Sequence, residues 1–481
     1  MPFNDILAIL PLIALVAWTL LLILVDLFIP KERKWLTAFL AALGLLLCMG
    51  LTIAQIGGPA VAFNGMVVFD GFAVFLSVLF LGSGLVAIAL AHDYLRRMDI
   101  DRSEYYFLLL FSISGMLLMA IAADLILVFM ALELLSIPLY VMAGFARPRL
   151  DSEEAALKYF LLGAFSGGFV VYGVALVFGA TGTTSLASVV AAVDGGTANL
   201  AVLLIGAALI LVGFGFKVAV VPFHMWTPDV YQGSPSSVTA FMSVGAKAAG
   251  FAALLRVFVT AFPALAQDIA PVLWALSVLT MILGNVVAIA QANIKRMLAY
   301  SSIAQAGYIL MALVTYGNGD VSDDAIASAL FFLLAYTFTS FGAWAVVIAL
   351  EKEEGKGLEL KDYAGLARKY PALAAAMTVF MLSFIGVPPT LGFVGKFYLF
   401  RTVIEGGYIG LALIGVLTSL VSAFYYLRVV VIMYMWDGDP EVRKETWLNI
   451  TTLAAAVATV LLTIFSTPLI RWASQAIMRT F

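Results

Sequence analysis

Charge is scarce in this chain. Only 11% of its 481 residues are Asp, Glu, Lys or Arg and 63% are apolar, against about 25% charged and about 45–50% apolar in a soluble domain. A soluble globular protein is excluded. Cysteine and histidine are almost missing too, with Cys48 the one cysteine and His92 and His224 the two histidines. No disulfide can form within the chain. Haem, iron–sulfur and structural zinc sites need several Cys, His or Met ligands in recognisable sets, so no metal site and no redox cofactor is expected in this chain. The formal net charge is −3, and no basic cluster falls on a plausible aqueous surface. A phosphate backbone would have nothing to hold, so no nucleic-acid partner is expected.

What the chain has is long apolar runs. A bilayer span needs about 20 predominantly apolar residues, and cutting at charged and turn-rich stretches gives fourteen segments. They begin near residues 5, 35, 68, 105, 124, 154, 199, 235, 269, 294, 324, 371, 407 and 447. The expected fold is an all-α polytopic membrane protein of about 14 transmembrane helices, with the lipid bilayer as its solvent. The N-terminal run, MPFNDILAILPLIALVAW, lacks a basic region before it and an A-x-A site after it, and reads as a first span rather than a cleaved signal. Of the 26 Lys and Arg, 17 fall in loops 1, 3, 5, 9, 11 and 13 and none in any even loop. Positive charge stays on the cytoplasmic side, which predicts both termini and all even loops outside.

The nine other basic residues lie in spans or the C-terminal tail. Arg256, Arg401, Arg428, Arg471 and Arg479 are each within reach of a span end or tail and can snorkel. That leaves Lys158, Lys217, Lys247 and Lys396 inside spans, with Glu133 the one acid near the middle of a span. Spans 7 and 12 are broken by proline, at Pro222 and Pro228 in VPFHMWTPDVY and at Pro388 and Pro389 in GVPPTLGF. Spans 4 to 8 and 9 to 13 are each five long, and an odd count inverts the second set. Each set is broken at its fourth span, with a lysine beside the break. This is the sequence mark of two inverted five-helix repeats, each containing a broken helix whose unwound backbone serves an ion path. The expected divisions are 1–104 for N-terminal helices 1–3, 105–262 for the first repeat, 263–435 for the second, and 436–481 for the last helix.

A charge at the centre of a span costs roughly 2.5 to 3.5 kcal/mol, so function is the default reading of these residues. Ser236, Thr239, Ser243 and Lys247 recur at helical spacing as a polar stripe on one face of span 8. Glu133 shares a face with Ser136 and Tyr140, and Pro138 frees a backbone carbonyl nearby. A carboxylate or a lysine alone in a bilayer turns neutral, while a pair keeps both charges. Glu133 paired with a lysine is therefore expected to switch proton binding, the bland reading being a structural ion pair. His224 sits in the break beside Lys217 and carries a ring that ordinarily titrates near neutrality, as a proton shuttle does. Lys158 lies about one turn inside span 6, where it either joins the relay or snorkels. Ser301, Ser302, Gln305 and Tyr308 in span 10, and Tyr336, Thr339 and Ser340 in span 11, hold either bridging waters or plain interhelical hydrogen bonds. His92 reads as a solvated loop residue, and EKEEGKGLELKDYAGLARK in loop 11 as a surface-exposed connection.

ELLSIPLYVM, VPFHMWTPDVYQGSPSSVTAFMSVGAKAAGF, NIKRMLAYSSIAQAGYIL and LSFIGVPPTLGFVGKFYLF together resemble the antiporter-like membrane subunits of respiratory complex I and of multisubunit cation/proton antiporters. The resemblance covers spans 4 to 13. Within that family the FHMWTPDVY wording, a lysine rather than a glutamate in span 12 and no long C-terminal lateral helix mark one branch. The chain also lacks the span-11 histidines of the L-type branch. The resemblance implies a proton half-channel in each repeat, with Glu133 as the span-5 glutamate and Lys217 its partner in broken span 7. Lys247 becomes the central lysine and Lys396 the terminal ionisable group. It also implies a proton-translocating subunit of NADH:quinone oxidoreductase in an energy-transducing inner (cytoplasmic) membrane, with its termini on the periplasmic side. Its partners would be other membrane subunits of the complex, antiporter-like ones included, with FMN, iron–sulfur clusters and quinone held in partner subunits. A cation/proton antiporter subunit of the Mrp type, or a stand-alone secondary transporter, is the alternative, though a sodium site wants several oxygen ligands and carboxylates are scarce in these spans.

Overall fold

The computed structural model describes residues 3–57, 61–319, 321–352, 356–443, 445–476 and 478. Arg479, and residues 353–355 of the loop 11 run, lie outside the described residues.

Most of the described chain is helix: α1 (Phe3–Ala8), α2 (Leu10–Asp26), α3 (Trp35–Ala54), α4 (Gly71–Arg97), α5 (Glu104–Ile121), α6 (Leu125–Ala143), α7 (Leu150–Thr181), α8 (Leu186–Asp194), α9 (Leu200–Val218), α10 (Trp226–Gly233), α11 (Ser236–Phe241), α12 (Lys247–Ala261), α13 (Ala266–Ile289), α14 (Ile294–Val314), α15 (Ser322–Leu350), α16 (Leu366–Lys369), α17 (Pro371–Ile385), α18 (Leu391–Glu405), α19 (Ile409–Met435), α20 (Thr446–Ile464) and α21 (Ser466–Gln475). A two-stranded hairpin, β1 (Val61–Ala62) with β2 (Val67–Val68), precedes α4. Among the described residues twelve helical runs are long and apolar enough to cross a membrane, and the shorter apolar helices α2 and α17 occupy two more of the predicted segments.

Helix starts are set by side chains that accept an otherwise orphaned N–H. Asp70 caps α4 at Ala73, Asp124 caps α6 at Ile126, Asn199 caps α9 at Val202 and Asn293 caps α14 at Arg296. α11 and α12 are joined by one π-helical turn, Met242–Ala246, which ends at Lys247. The run Ser236–Ala261 is enclosed along its whole length, with α14 and α15 nearly so. α15 touches α4 and α11 as well as α14, α17, α18 and α20, and so joins earlier and later elements of the chain. The outer helices turn Phe165, Leu420 and Leu453 outward. Water would penalise that surface, whereas hydrocarbon does not.

Both predicted breaks are present. α9 stops at Val218 because Ala219 turns into the left-handed region (φ 64°), and helix resumes only at Trp226. α17 stops at Gly386 (φ 88°), and α18 starts at Leu391 under a Thr390 cap. Three charge assignments need correction. Arg256 does not snorkel: it is buried in an ion pair with Asp70 (2.5 and 2.9 Å), donates to the Ala120 carbonyl (2.8 Å) and lies over the Phe72 ring. His92 lies within α4, half-buried against Asp93 (2.9 Å), rather than in a solvated loop. Nor is the loop 11 run all surface. Ile294 N–H donates to Leu358 O and Leu360 N–H to Ala292 O, which folds the run over loop 9 and buries Glu351, Leu358, Leu360 and Tyr363.

Candidate functional site

The break in span 7 positions the first group. Trp226, the first residue of α10, donates through its indole to Phe216 O at the end of α9 (2.8 Å) and stacks on Tyr159 of α7 with ring centres 4.6 Å apart. Tyr159 is thereby held where its hydroxyl accepts from the Lys217 ammonium (3.1 Å), and Ser136 of α6 accepts from the same ammonium at 2.8 Å. Two glycines one helical turn apart on α7 let α6 approach: a Cβ at Gly163 would strike the Tyr140 hydroxyl, and one at Gly167 would come within 2.8 Å of Glu133 Oε1.

The sequence reading paired Glu133 with Lys217 directly. Among the described residues no ion pair within 4 Å joins them; they interact through the field, with the Ser136 hydroxyl on the lysine. The reason is geometric, because Ser136 stands one turn along α6 from Glu133 and takes the donor first. His224 is not brought to Lys217 either. It sits half-buried in the break between outward-facing Pro222 and Met225, and its Nδ1 has no hydrogen-bond partner among the described residues. Lys158 is at the surface, donating to Asp229 (2.7 Å) with Glu154 at the same distance, and Arg296 of α14 holds the other oxygen of Asp229.

Lys247 follows the π-helical turn and is 2% exposed. Its ammonium donates to Ser302 of α14 twice, to the carbonyl at 2.7 Å and to the hydroxyl at 2.9 Å. The predicted stripe below it is wholly buried, with Thr239 donating to Tyr231 O and Ser243 within 3.2 Å of Ser340. On the other side of Lys247, Gly250 admits the stem of Lys217: a Cβ there would lie 3.2 Å from Lys217 Cγ. The two lysines thus stand on facing helices about one turn apart.

The break in span 12 builds the third group. Ending α17 at Gly386 leaves the Phe384 and Ile385 carbonyls without helical donors, and Lys396 of α18 donates to both (2.9 and 3.0 Å) and to Ser419 of α19 (2.7 Å). The ammonium also lies 4.4 Å from the centre of the Tyr308 ring. Gln305 donates to the same Phe384 carbonyl (3.1 Å) and to the Tyr426 hydroxyl, which in turn meets Ser301. The polar groups of span 10 therefore lie between Lys247 and Lys396, reaching one lysine through Ser302 and the other through Gln305. In span 11, Thr339 bonds Ser383 (2.8 Å).

Sequence reasoning missed Tyr159, Ser419 and Tyr426. Ser419, Ser422 and Tyr426 are all buried at helical spacing on α19, so the test that found the span 8 stripe would also have found this one. It missed Lys295 and Glu351 as well, having assigned both to loops, although each is 1% exposed.

Residues 122–422 match the family described as NADH:quinone oxidoreductase/Mrp antiporter, TM. The chain belongs to this family of membrane subunits. The NADH-quinone oxidoreductase subunit N of Trichlorobacter lovleyi is 46% identical over 98% of this chain and 96% of its own length. A chain in the structure of respiratory complex I from Thermus thermophilus with bound aureothin superposes with a TM-score of 0.83 at 36% identity, covering 96% of this chain and 99% of that one. A chain of the Mrp complex from Dietzia sp. DQ12-45-1b gives a TM-score of 0.86 at 20% identity over 99% of this chain and 97% of that one, a likeness of fold alone.

Proposed function

We propose that this chain is a proton-translocating membrane subunit of an NADH:quinone oxidoreductase, and that Lys217, Lys247 and Lys396 carry the proton in that order. One observation supports these three residues as the carriers best. Each of the three ammonium groups is buried against neutral acceptors, namely Ser136 and Tyr159, Ser302, and the Phe384 and Ile385 carbonyls with Ser419. An ammonium held by hydroxyls and carbonyls can surrender its proton without leaving a carboxylate unpaired, which a lysine locked in a salt bridge cannot do. Glu133 acts through the field. A change in its distance from Lys217 alters how firmly that lysine, held by Ser136 and Tyr159, keeps its proton.

Lys247 passes the proton to Lys396 through waters that bridge the hydroxyls of Ser302, Ser301 and Tyr426, while Gln305, which donates to Tyr426 and to the Phe384 carbonyl, orients the end of that path without carrying the proton. Lys158 stands with Asp229, Glu154 and Arg296 at the odd-loop surface, where it tunes the approach to Lys217 through its neighbour Tyr159. His224 stays outside this line. We infer further that all fourteen segments cross the bilayer, and that spans 4–8 and 9–13 are inverted repeats. In support, α5 packs on α6, α7 on α9 and α9 on α12, while α13 packs on α14, α15 on α17 and α17 on α19. In this reading the chain lies in an inner, energy-transducing membrane with both termini periplasmic. Electron transfer through FMN, iron–sulfur clusters and quinone occurs in partner subunits, and the energy arrives through contacts among membrane subunits.

Purification under mild detergent tests the assignment. Co-purification with flavin and iron–sulfur subunits is the expected result, whereas a set of cofactor-free antiporter subunits would place the chain in an Mrp-type assembly instead.

A further inference from the structure

The relay uses neither of two other buried ionisable groups. Glu351 follows the last residue of α15 and Lys295 lies in the first turn of α14, and each is 1% exposed. Both face the α10–α11 turn. Lys295 donates to Ser234 O (2.6 Å); the Tyr94 hydroxyl donates to Glu351 Oε1 (3.3 Å) and accepts from the Ser236 N–H (3.0 Å). Lys295 and Glu351 also interact electrostatically without an ion pair. Around this turn the hydroxyls of Ser234, Ser236 and Tyr363 and Glu351 Oε2 are buried with no hydrogen-bond partner among the described residues. Buried oxygens of this kind are nearly always satisfied, by water where protein does not reach them, and four around one turn call for a hydrated space. Arg149, Asp151, Arg97 and Asp362 complete the charged groups that act on it, from the start of α7, the end of α4 and loop 11.

Ser236 is also the first residue of the buried stripe that continues through Thr239 and Ser243 to Lys247. We propose that Glu351, Tyr94, Lys295 and the Ser234–Ser236 turn form a second proton inlet, an enclosed antechamber on the odd-loop side that feeds Lys247 along Ser236, Thr239 and Ser243 without passing through Lys217. Glu351 receives the proton from the loop surface. Each hydroxyl or water along the stripe takes one proton as it gives one up, so the step is a pure transfer with no net change in any carrier. Lys295 stands beside Glu351 as a second buried ammonium, held on the neutral Ser234 carbonyl.

This inference rests on Lys247 being a proton carrier, and the experiment separates the two claims. The whole complex carrying Glu351→Gln, Glu351→Asp, Tyr94→Phe, Lys217→Met, Lys247→Met or Glu351→Gln with Lys217→Met is reconstituted into vesicles. Protons pumped per NADH oxidised are measured, with subunit content checked on a native gel. Glu351→Gln and Lys217→Met are each expected to lose part of what Lys247→Met loses, their combination to reach the Lys247→Met level, and Glu351→Asp to restore most of it. Should Glu351→Gln fail to assemble, Tyr94→Phe carries the test, since it keeps the ring in place and removes the hydroxyl between Glu351 and Ser236. Wild-type pumping by an assembled Glu351→Gln or Tyr94→Phe complex, beside a defective Lys247→Met, overturns the inlet and leaves the relay standing. Wild-type pumping by Lys247→Met overturns the relay itself.

Discussion

Gly386→Ala is the sharpest structural test of the second half of the path. Gly386 closes α17 at φ 88°, and a Cβ built on it would sit 2.9 Å from Lys396 Cδ. A left-handed backbone costs an L-residue roughly 1–2 kcal/mol, and forcing an extra methyl into a packed site costs about 1–3 kcal/mol. Together these make about 2–5 kcal/mol, well beyond the usual range for a substitution that touches nothing. The methyl meets the flexible stem of Lys396 before it meets backbone, so the lysine moves first and its ammonium leaves the Phe384 and Ile385 carbonyls. Two effects should therefore appear together: a lower unfolding temperature of the purified complex and a loss of proton pumping in vesicles. Gly386→Asn separates them. Asparagine tolerates the left-handed turn better, which recovers stability, yet its Cβ still displaces Lys396 and pumping stays low. A Gly386→Ala complex with wild-type melting and wild-type pumping would refute the argument from close approach.

Lys247→Arg should assemble and fail to pump, because a guanidinium stays charged throughout the accessible range; pumping at the wild-type level would make Lys247 a fixed charge. Lys247→Met and Lys396→Met should each reduce pumping per electron pair more than Lys158→Met, whose ammonium already sits at the surface with Asp229 and Glu154; equal losses would return Lys158 to the relay. Asp70→Asn leaves Arg256 buried without its counter-charge, at a cost of about 3–5 kcal/mol, and should lower subunit content in the membrane. Replacing both partners while keeping the cap on Ala73, as Asp70→Asn with Arg256→Met, should restore most of it. Cysteines placed at exposed Thr197 and Lys361, in the loops near Gly195 and near Gly357, in an otherwise cysteine-free chain should react with an impermeant thiol reagent from opposite sides of the membrane; reaction from one side would sink the orientation drawn from the basic loops.

The fold was legible because a bilayer makes hydropathy decisive. A span cannot leave its N–H and C=O groups unpaired in hydrocarbon, so an apolar run bounded by polar residues has helix as its solution, and helix appears over every predicted segment. The breaks were legible for a related reason, since proline removes a donor from a helix that has no solvent to replace it. What the sequence could not reveal was how the loops return. Loop 11 pairs its backbone with loop 9 at Ile294–Leu358 and Leu360–Ala292, and such pairing leaves no periodic signal. That contact turns Lys295 and Glu351 from surface charges into buried ones.

The ionisable residues were found by burial against cost, and that criterion is too coarse to sort them. Arg256 is as deeply buried as Lys247 or Lys396, yet Asp70 grips it bidentately and it serves as a staple between α4, α5 and α12. The three relay lysines face hydroxyls and carbonyls instead, and so does Lys295 at Ser234 O. The chemistry of the partner is therefore the better discriminator. A full counter-charge fixes a proton in place, because releasing it strands the other ion in a low-dielectric surrounding. Neutral acceptors hold an ammonium well enough to stay buried and lightly enough to let it change state. By that standard the Glu133–Lys217 arrangement is informative for the reason it disappointed the sequence reading. With Ser136 on the ammonium and the carboxylate standing off, Lys217 is placed for exchange, and the approach of Glu133 becomes an event the complex can drive rather than a contact it must first break.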